Sequence, residues 1–108
     1  MILHYVPKDQ LRDNWNFVKK GLEIVRAKGH MEWIVEDVYC DCFENRSMLF
    51  IAIENNERAG FVVLQPMGNA LHVWAAWSLL EDDINLASAW EEIKQIAKNG
   101  NKKRITFT

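Results

Sequence analysis

The residues best equipped for chemistry gather in the last third of the chain. His72 sits inside an apolar run, Leu71 to Trp77, and three carboxylates follow at Glu81, Asp82 and Asp83. An imidazole changes charge near neutral pH, and a poised carboxylate can also take a proton. A single histidine in a strand is nonetheless more often structural than catalytic. The carboxylates have a plainer use as well. Ser78-Leu79-Leu80-Glu81 matches the S-x-x-E capping box, and Asp82 or Asp83 suits a helix that starts later. A phosphate site at the same junction needs glycines and bare amides, yet residues 78–88 hold no glycine and no arginine. Each like-charge pair costs about 1 kcal/mol at 4 Å in water and several times more where partly buried. The junction therefore reads as a helix cap rather than a phosphate cradle.

Other reactive types are weaker. Cys40 and Cys42 are two apart, too close for an ordinary structural disulfide, and on a helix they point to nearly opposite sides. Neither His30 nor His72 is spaced to complete a metal set with them. Reduced thiols in or near a helix are expected. Glu54 and Glu57 border a turn and read as solvated. Nothing resembles a nucleophile paired with a base, a P-loop or a metal signature. Lys102-Lys103-Arg104 is one short basic run, weak grounds for nucleic-acid binding. It could equally rim a site for an anionic coenzyme.

These residues need a scaffold, and hydrophobic spacing supplies one. Residues 2–6 form a short strand. Pro7 and Asp9 open a helix whose stripe is Leu11, Trp15, Val18, Leu22 and Val25, closed by Gly29. A second helix runs from Trp33 to Arg46 on Ile34, Val38 and Cys42, with an acidic outer face read as solvated. Met48 to Glu54 and Ala59 to Gln65 are strands joined at Asn55-Asn56-Glu57, a hairpin. Pro66 to Asn69 turns the chain into a third strand, 71–77. A helix from Ile84 to Lys98, the Gly100 turn and a strand at 104–108 complete the order. That helix returns the last strand parallel to 71–77. Trp74 and Trp77 are three apart, so they are expected on opposite faces, with Trp90 nearby on the helix.

Size and charge set the outer bounds. One domain is expected from 108 residues, of which 49% are hydrophobic and 26% charged. A net charge of −2 gives no global attraction to nucleic acid or anionic membranes. No apolar run is long enough to span a bilayer, and the first residues lack the form of a signal peptide, so an intracellular address is expected.

The resulting α/β order, β-α-α-β-β-β-α-β with a central antiparallel meander and a parallel last strand, resembles the GNAT acyl-CoA N-acyltransferase superfamily. Four segments carry the likeness: 33–39; 49–53 with 59–63; 71–77; and 90–98 leading to 104–108. Their wording is also similar to small GNAT-like proteins of bacteriophages. The resemblance implies an acetyl-CoA site at the end of strand 71–77, with Trp77, Ser78, Leu79 and Asn85 as coenzyme contacts. It makes His72 and Glu81 the candidates for general base toward a small-molecule or protein amine. Two departures stand out. The family's Gly-rich pyrophosphate loop is replaced by 78–86, and the family usually continues past 104–108 with another helix and two strands. A C-terminally incomplete domain is thus implied, with a homodimer through the last strand's open edge. Two functions follow: a phage- or prophage-type acetyltransferase, or a catalytically inactive relative that binds proteins or builds a phage particle. The corresponding addresses are the bacterial cytoplasm and the particle. Neither nucleic acid nor membrane is a favoured partner.

Overall fold

The computed structural model describes residues 1–29, 32–80 and 82–107, with Asp83 described by its backbone alone. Five strands, β1 (Ile2–Tyr5), β2 (Met48–Glu54), β3 (Glu57–Met67), β4 (Ala70–Ser78) and β5 (Arg104–Phe107), form one sheet in the order β1-β2-β3-β4-β5. The first four are antiparallel neighbours, and β5 is parallel to β4. Helices α1 (Leu11–Ala27) and α2 (Val35–Phe43) follow β1, and α3 (Asp83–Asn99) links β4 to β5. The expected mixed sheet and its order are therefore present.

Two cores lie on opposite faces of the sheet. Val18 and Leu22 of α1 and Val38 and Cys42 of α2 pack with Leu49, Ile51, Phe61 and Val63. Ile93 and Ala97 of α3 pack with Phe50, Val62, Leu64, Leu71 and Val73. Alternation along β2 and β3 sends each strand's apolar residues to both helical layers, which is why these strands read as unbroken hydrophobic runs.

The turns follow side-chain chemistry. Asn55 and Asn56 both have positive φ, 53° and 64°, the pattern of a two-residue type I′ hairpin. Between β3 and β4 the left-handed residue is Gly68, at φ 59°. Both α2 and α3 end in Schellman motifs. Asn45 N–H donates to the Cys42 carbonyl and Arg46 N–H to Asp41; Asn101 N–H donates to Lys98 and Lys102 N–H to Ala97. The left-handed residue at the end of α3 is thus Asn101, φ 57°, and Gly100 stays at −89°.

Helix α2 is shorter than its apolar spacing predicts. Ile34 is extended and serves as N-cap, with its N–H donating to Asp37 Oδ2 at 2.8 Å. Its C-terminal end is tied to the sheet by Asp41. That carboxylate accepts from Ser47 Oγ (2.8 Å), Arg46 Nε (2.9 Å) and Gln65 Nε2 (3.3 Å). Burial opposes the charge, but the bonds from Ser47, Arg46 and Gln65 outweigh it and hold the carboxyl below its usual range. Asp41→Ala strands the buried Ser47 hydroxyl and is expected to cost about 1–3 kcal/mol. Because the folded-state pKa is depressed, the charged form's contribution is complete above about pH 4 and is lost as pH falls through the folded value. In urea melts between pH 6 and 2, the gap between wild type and Asp41→Asn should therefore narrow toward low pH.

Trp74 and Trp77 share a face, contrary to the alternation expected of residues three apart. Val63 pairs with Ala75 while Leu64 pairs with Val73, which leaves Trp74 as an extra, bulged residue. Leu71 and Val73 face α3, whereas Trp74, Ala75 and Trp77 all pack with the α1–α2 core. Trp74 meets Trp33 edge-on at 6.0 Å, and Trp77 lies between Phe17 and Phe61. The slip by one residue turns the second half of β4 over.

The cysteines divide as helical geometry predicts. Cys40 is exposed on α2 and Cys42 is buried. Burial, with the charge of Asp41 beside it, pushes the Cys42 thiol up to about 12, so it stays protonated and unreactive.

Candidate active site

Among the described residues, only the first half of β4 is paired with β5. Its pairing with β5 spans Ala70–Val73 against Arg104–Phe107. From Trp74 onward no described residue of β5 runs beside it. On the other edge β3 continues to the end of the strand, where Leu79 N–H donates to the Ala59 carbonyl at 2.7 Å. Strand alternation therefore turns the N–H groups of Ser78 and Ala76 toward the open edge.

A cleft of about 760 Å³ occupies this opening, between the end of β4 and the first half of α3. Ala76, Trp77 and Ser78 supply one wall, and Leu86, Ala89 and Trp90 the other. Val62 and Ile93 form part of the floor, and Lys28 at the end of α1 is the cation at the rim. The lining is chiefly apolar, with Ser78 and Lys28 as its polar side chains, which is the usual constitution of a small-molecule site. The size of Ala76 is part of the design. It is exposed on the α3 face, where its methyl group leaves the space open.

The residues expected to carry chemistry are distributed unevenly around the cleft. Trp77 and Ser78 line it. Ser78 Oγ is engaged locally, donating to the Leu80 carbonyl at 2.7 Å and accepting from Leu80 N–H at 3.0 Å. It is not the helix cap. Leu79 has an exposed side chain, and its N–H is taken by Ala59. Asn85 belongs to the cap of α3: its N–H donates to Asp82 Oδ1 at 2.8 Å and its Nδ2 to Asp82 Oδ2 at 2.7 Å. The later of the two capping registers is thus the one used. Bonds from the Asn85 side chain and backbone keep the Asp82 carboxyl below its usual range. His72 lies on the β5-paired half of β4, with Nδ1 2.6 Å from Thr106 Oγ1. At about 3.3 Å per residue it is some 13–20 Å back along the strand from Ala76–Ser78. Glu81 lies outside the described residues.

The parts of the site that sequence reasoning missed are Ala76 and, on the apolar face of α3, Leu86 and Ala89; Trp90 was expected near the junction and lines the cleft. The α3 stripe carried a signal, since its apolar residues extend closer to the helix N-terminus than the core requires. Ala76 carried none. Among the described residues, no group of three or more His, Cys, Asp or Glu is placed to hold a metal ion. No described helix is long and apolar enough to cross a membrane.

This architecture recurs among solved structures. A probable acetyltransferase superposes with a TM-score of 0.72 at 15% identity, covering 100% of this chain and 78% of the other. PaiA N-acetyltransferase from Thermoplasma acidophilum, solved in complex with coenzyme A, gives 0.58 at 12% identity, covering 94% and 76%. Aminoglycoside N-acetyltransferase AAC(6′)-Iy, also solved with CoA, gives 0.67 at 10% identity, covering 99% and 75%. The chain has a GNAT-like fold. No family model matches its sequence, and no curated protein does. At these identities the likeness is one of fold, and function must be argued from the site.

The GNAT-like fold raises the question of whether a coenzyme A thioester suits this cleft. Its acyl-bearing arm does. The arm is slender and largely apolar, it carries amides that can pair with an open strand edge, and it would meet the N–H groups of Ala76 and Ser78. The N-terminus of α3 does not suit the diphosphate, because Asp82 already occupies the Asn85 N–H with a carboxylate.

Proposed function

We propose that this protein binds an acyl-coenzyme A thioester, acetyl-CoA, in the cleft between β4 and α3 and transfers its acyl group to an amine. One observation carries the reading: an apolar cleft of about 760 Å³ lies between the end of β4 and the first half of α3, with Ala76 and Ser78 in its wall. Two acetyltransferases of the same fold were solved with the coenzyme, which supports it. When bound, the thioester supplies an acyl group activated toward amines. The chain's part is to receive the carbonyl oxygen at main-chain N–H groups, where charge develops, and to exclude water with Leu86 and Trp90. In this reading Glu81, between Ser78 and Asp82 in the chain, takes the amine's proton as the C–N bond forms, and the C–S bond of the thioester breaks to release a thiolate that takes up a proton and leaves as the thiol. The acceptor is a small molecule or a protein amine.

Titration calorimetry with acetyl-CoA is expected to give saturable heat, and no heat at millimolar ligand overturns the reading. Asp82→Ser keeps a cap while removing its charge. Relief of one like-charge contact at about 4 Å is expected to tighten acetyl-CoA about fivefold at low salt. An unchanged affinity would place the diphosphate away from α3.

A second reading is a non-catalytic scaffold that binds another protein, in a phage particle or against a host factor. The internal capping of α3 by Asp82 favours it. It predicts a protein partner in pull-downs and no calorimetric response to acetyl-CoA.

A further inference from the structure

The charges of this chain are sorted along its length. Residues 1–92 contain fifteen carboxylates and eight Lys or Arg, whereas residues 93–108 contain five Lys or Arg and no carboxylate. The fold gathers the five at one place. Lys94 and Lys98 on the second half of α3, with Lys102, Lys103 and Arg104 leading into β5, line an open groove of about 860 Å³. It lies at the far end of α3 from Asp82, so these cations do not rim the junction between β4 and α3. The groove also presents two aromatic rings to solvent. Trp90 is 37% exposed and Phe107 61%. Their centroids are 5.7 Å apart with planes inclined by 31°. Lys94 Nζ lies 5.9 Å from the Trp90 ring centroid and 2.6 Å from Glu91 Oε1. Lys102 Nζ donates to the Gly68 carbonyl at 2.6 Å. The side chains of Lys98, Lys103 and Arg104 make no ion pair or hydrogen bond among the described residues.

Two ordinary roles account for part of this. Lys98 complements the negative end of α3, and cations beside an edge strand discourage pairing with other sheets. Neither role explains why a tryptophan and a phenylalanine lie open within the same groove. Trp90, Lys94 and Lys98 recur every four residues, about 6 Å apart along one face of α3. Aromatic faces interleaved with cations at that interval suit a chain of bases and phosphates. An acidic peptide would use the cations alone.

We infer that the α3–β5 groove binds single-stranded nucleic acid, stacking bases on Trp90 and Phe107 and pairing phosphates with Lys98, Lys103 and Arg104. The overall net charge of −2 conceals the site, because the acidic residues lie elsewhere in the sequence. The inference shares Trp90 with the wall of the acyl-CoA cleft but does not need that reading, since its cations and Phe107 lie on the second half of α3 and around β5.

Fluorescence anisotropy with a labelled 15-nucleotide single strand tests it, with the matching duplex and polyglutamate as competitors. Binding is expected in 50 mM salt. With three unpaired cations, log K should fall with log salt at a slope of about −2. Phe107→Ala should weaken binding about tenfold through lost stacking. Reversing charge in the triple variant Lys98→Glu, Lys103→Glu, Arg104→Glu should abolish it. These three side chains are exposed, so the variant should fold; Lys98→Glu forfeits its interaction with the C-terminal end of α3, so the melt should fall by a few degrees and binding is measured well below it. Absence of binding at tens of micromolar protein overturns the inference, as does binding that survives charge reversal. Competition by polyglutamate equal to that of the single strand, with Phe107→Ala silent, would also overturn it and assign the groove to an acidic protein. Competition by duplex as strong as by single strand would remove the stacking role and overturn it likewise.

Discussion

Gly60→Ala is expected to lower stability by about 3 kcal/mol or more and the melting temperature by about 12 °C or more. Gly60 lies in β3 opposite Ser78. A Cβ built there falls 2.3 Å from the Trp77 carbonyl oxygen and 2.9 Å from Ser78 Cα. Both are backbone atoms, so no rotamer change relieves the contact. The strands must separate, and they must do so where β4 forms the wall of the cleft. Gly68→Ala is the instructive comparison. Its Cβ meets nothing within 4 Å, but φ is +59°, so the expected cost is only the left-handed penalty of about 1–2 kcal/mol. Chemical denaturation of the two variants should therefore rank Gly60→Ala well below Gly68→Ala. The reverse order would mean that β3 and β4 can spread without loss, and that the close approach at Ser78 is incidental.

The scaffold was legible in the sequence wherever hydrophobic period and turn chemistry agreed. The stripe from Leu11 to Val25, the asparagine pair between β2 and β3, and the carboxylate cap of α3 each specify an element locally. Misreadings arose where tertiary packing uses apolar residues outside the pattern. Trp33 and Ile34 extend the hydrophobic spacing of α2, yet the chain is extended at Ile34 and Trp33 packs on Trp74. The bulge was hidden for a related reason. Leu71 to Trp77 is apolar at nearly every position, so a one-residue slip leaves no trace in its pattern. The orientation of both tryptophans depends on that slip. The cleft is still less legible, because it forms between the end of β4 and α3, and periodicity within each element does not say how the two sit against each other. Sequence reading found the junction by the residues that crowd it, Ser78 to Asp83. The structure locates the usable space slightly earlier, at Ala76, whose contribution is a small side chain and a main-chain N–H. Charge sorting was visible in the sequence, but only the fold brings Trp90 and Phe107 into one groove with Lys98.

Ala76→Trp is expected to abolish acetyl-CoA binding, reducing affinity by at least about 100-fold, while leaving the fold intact. Ala76 pairs with Val62 in the centre of the sheet edge, and its methyl group projects toward α3 without being buried. An indole there enters the space bounded by Leu86, Ala89 and Trp90 rather than a packed core, so overpacking strain should be small. The ligand's acyl arm would lose both its volume and its approach to the Ser78 N–H. A site that discriminates by shape loses most of its binding energy when that volume is filled. Calorimetry on the variant, with a thermal melt within a few degrees of wild type, separates this outcome from unfolding. Single-strand binding at the α3–β5 groove should fall by much less, because its cations and Phe107 lie away from Ala76 although Trp90 borders both sites. Full retention of acetyl-CoA binding in Ala76→Trp would move the coenzyme out of the cleft.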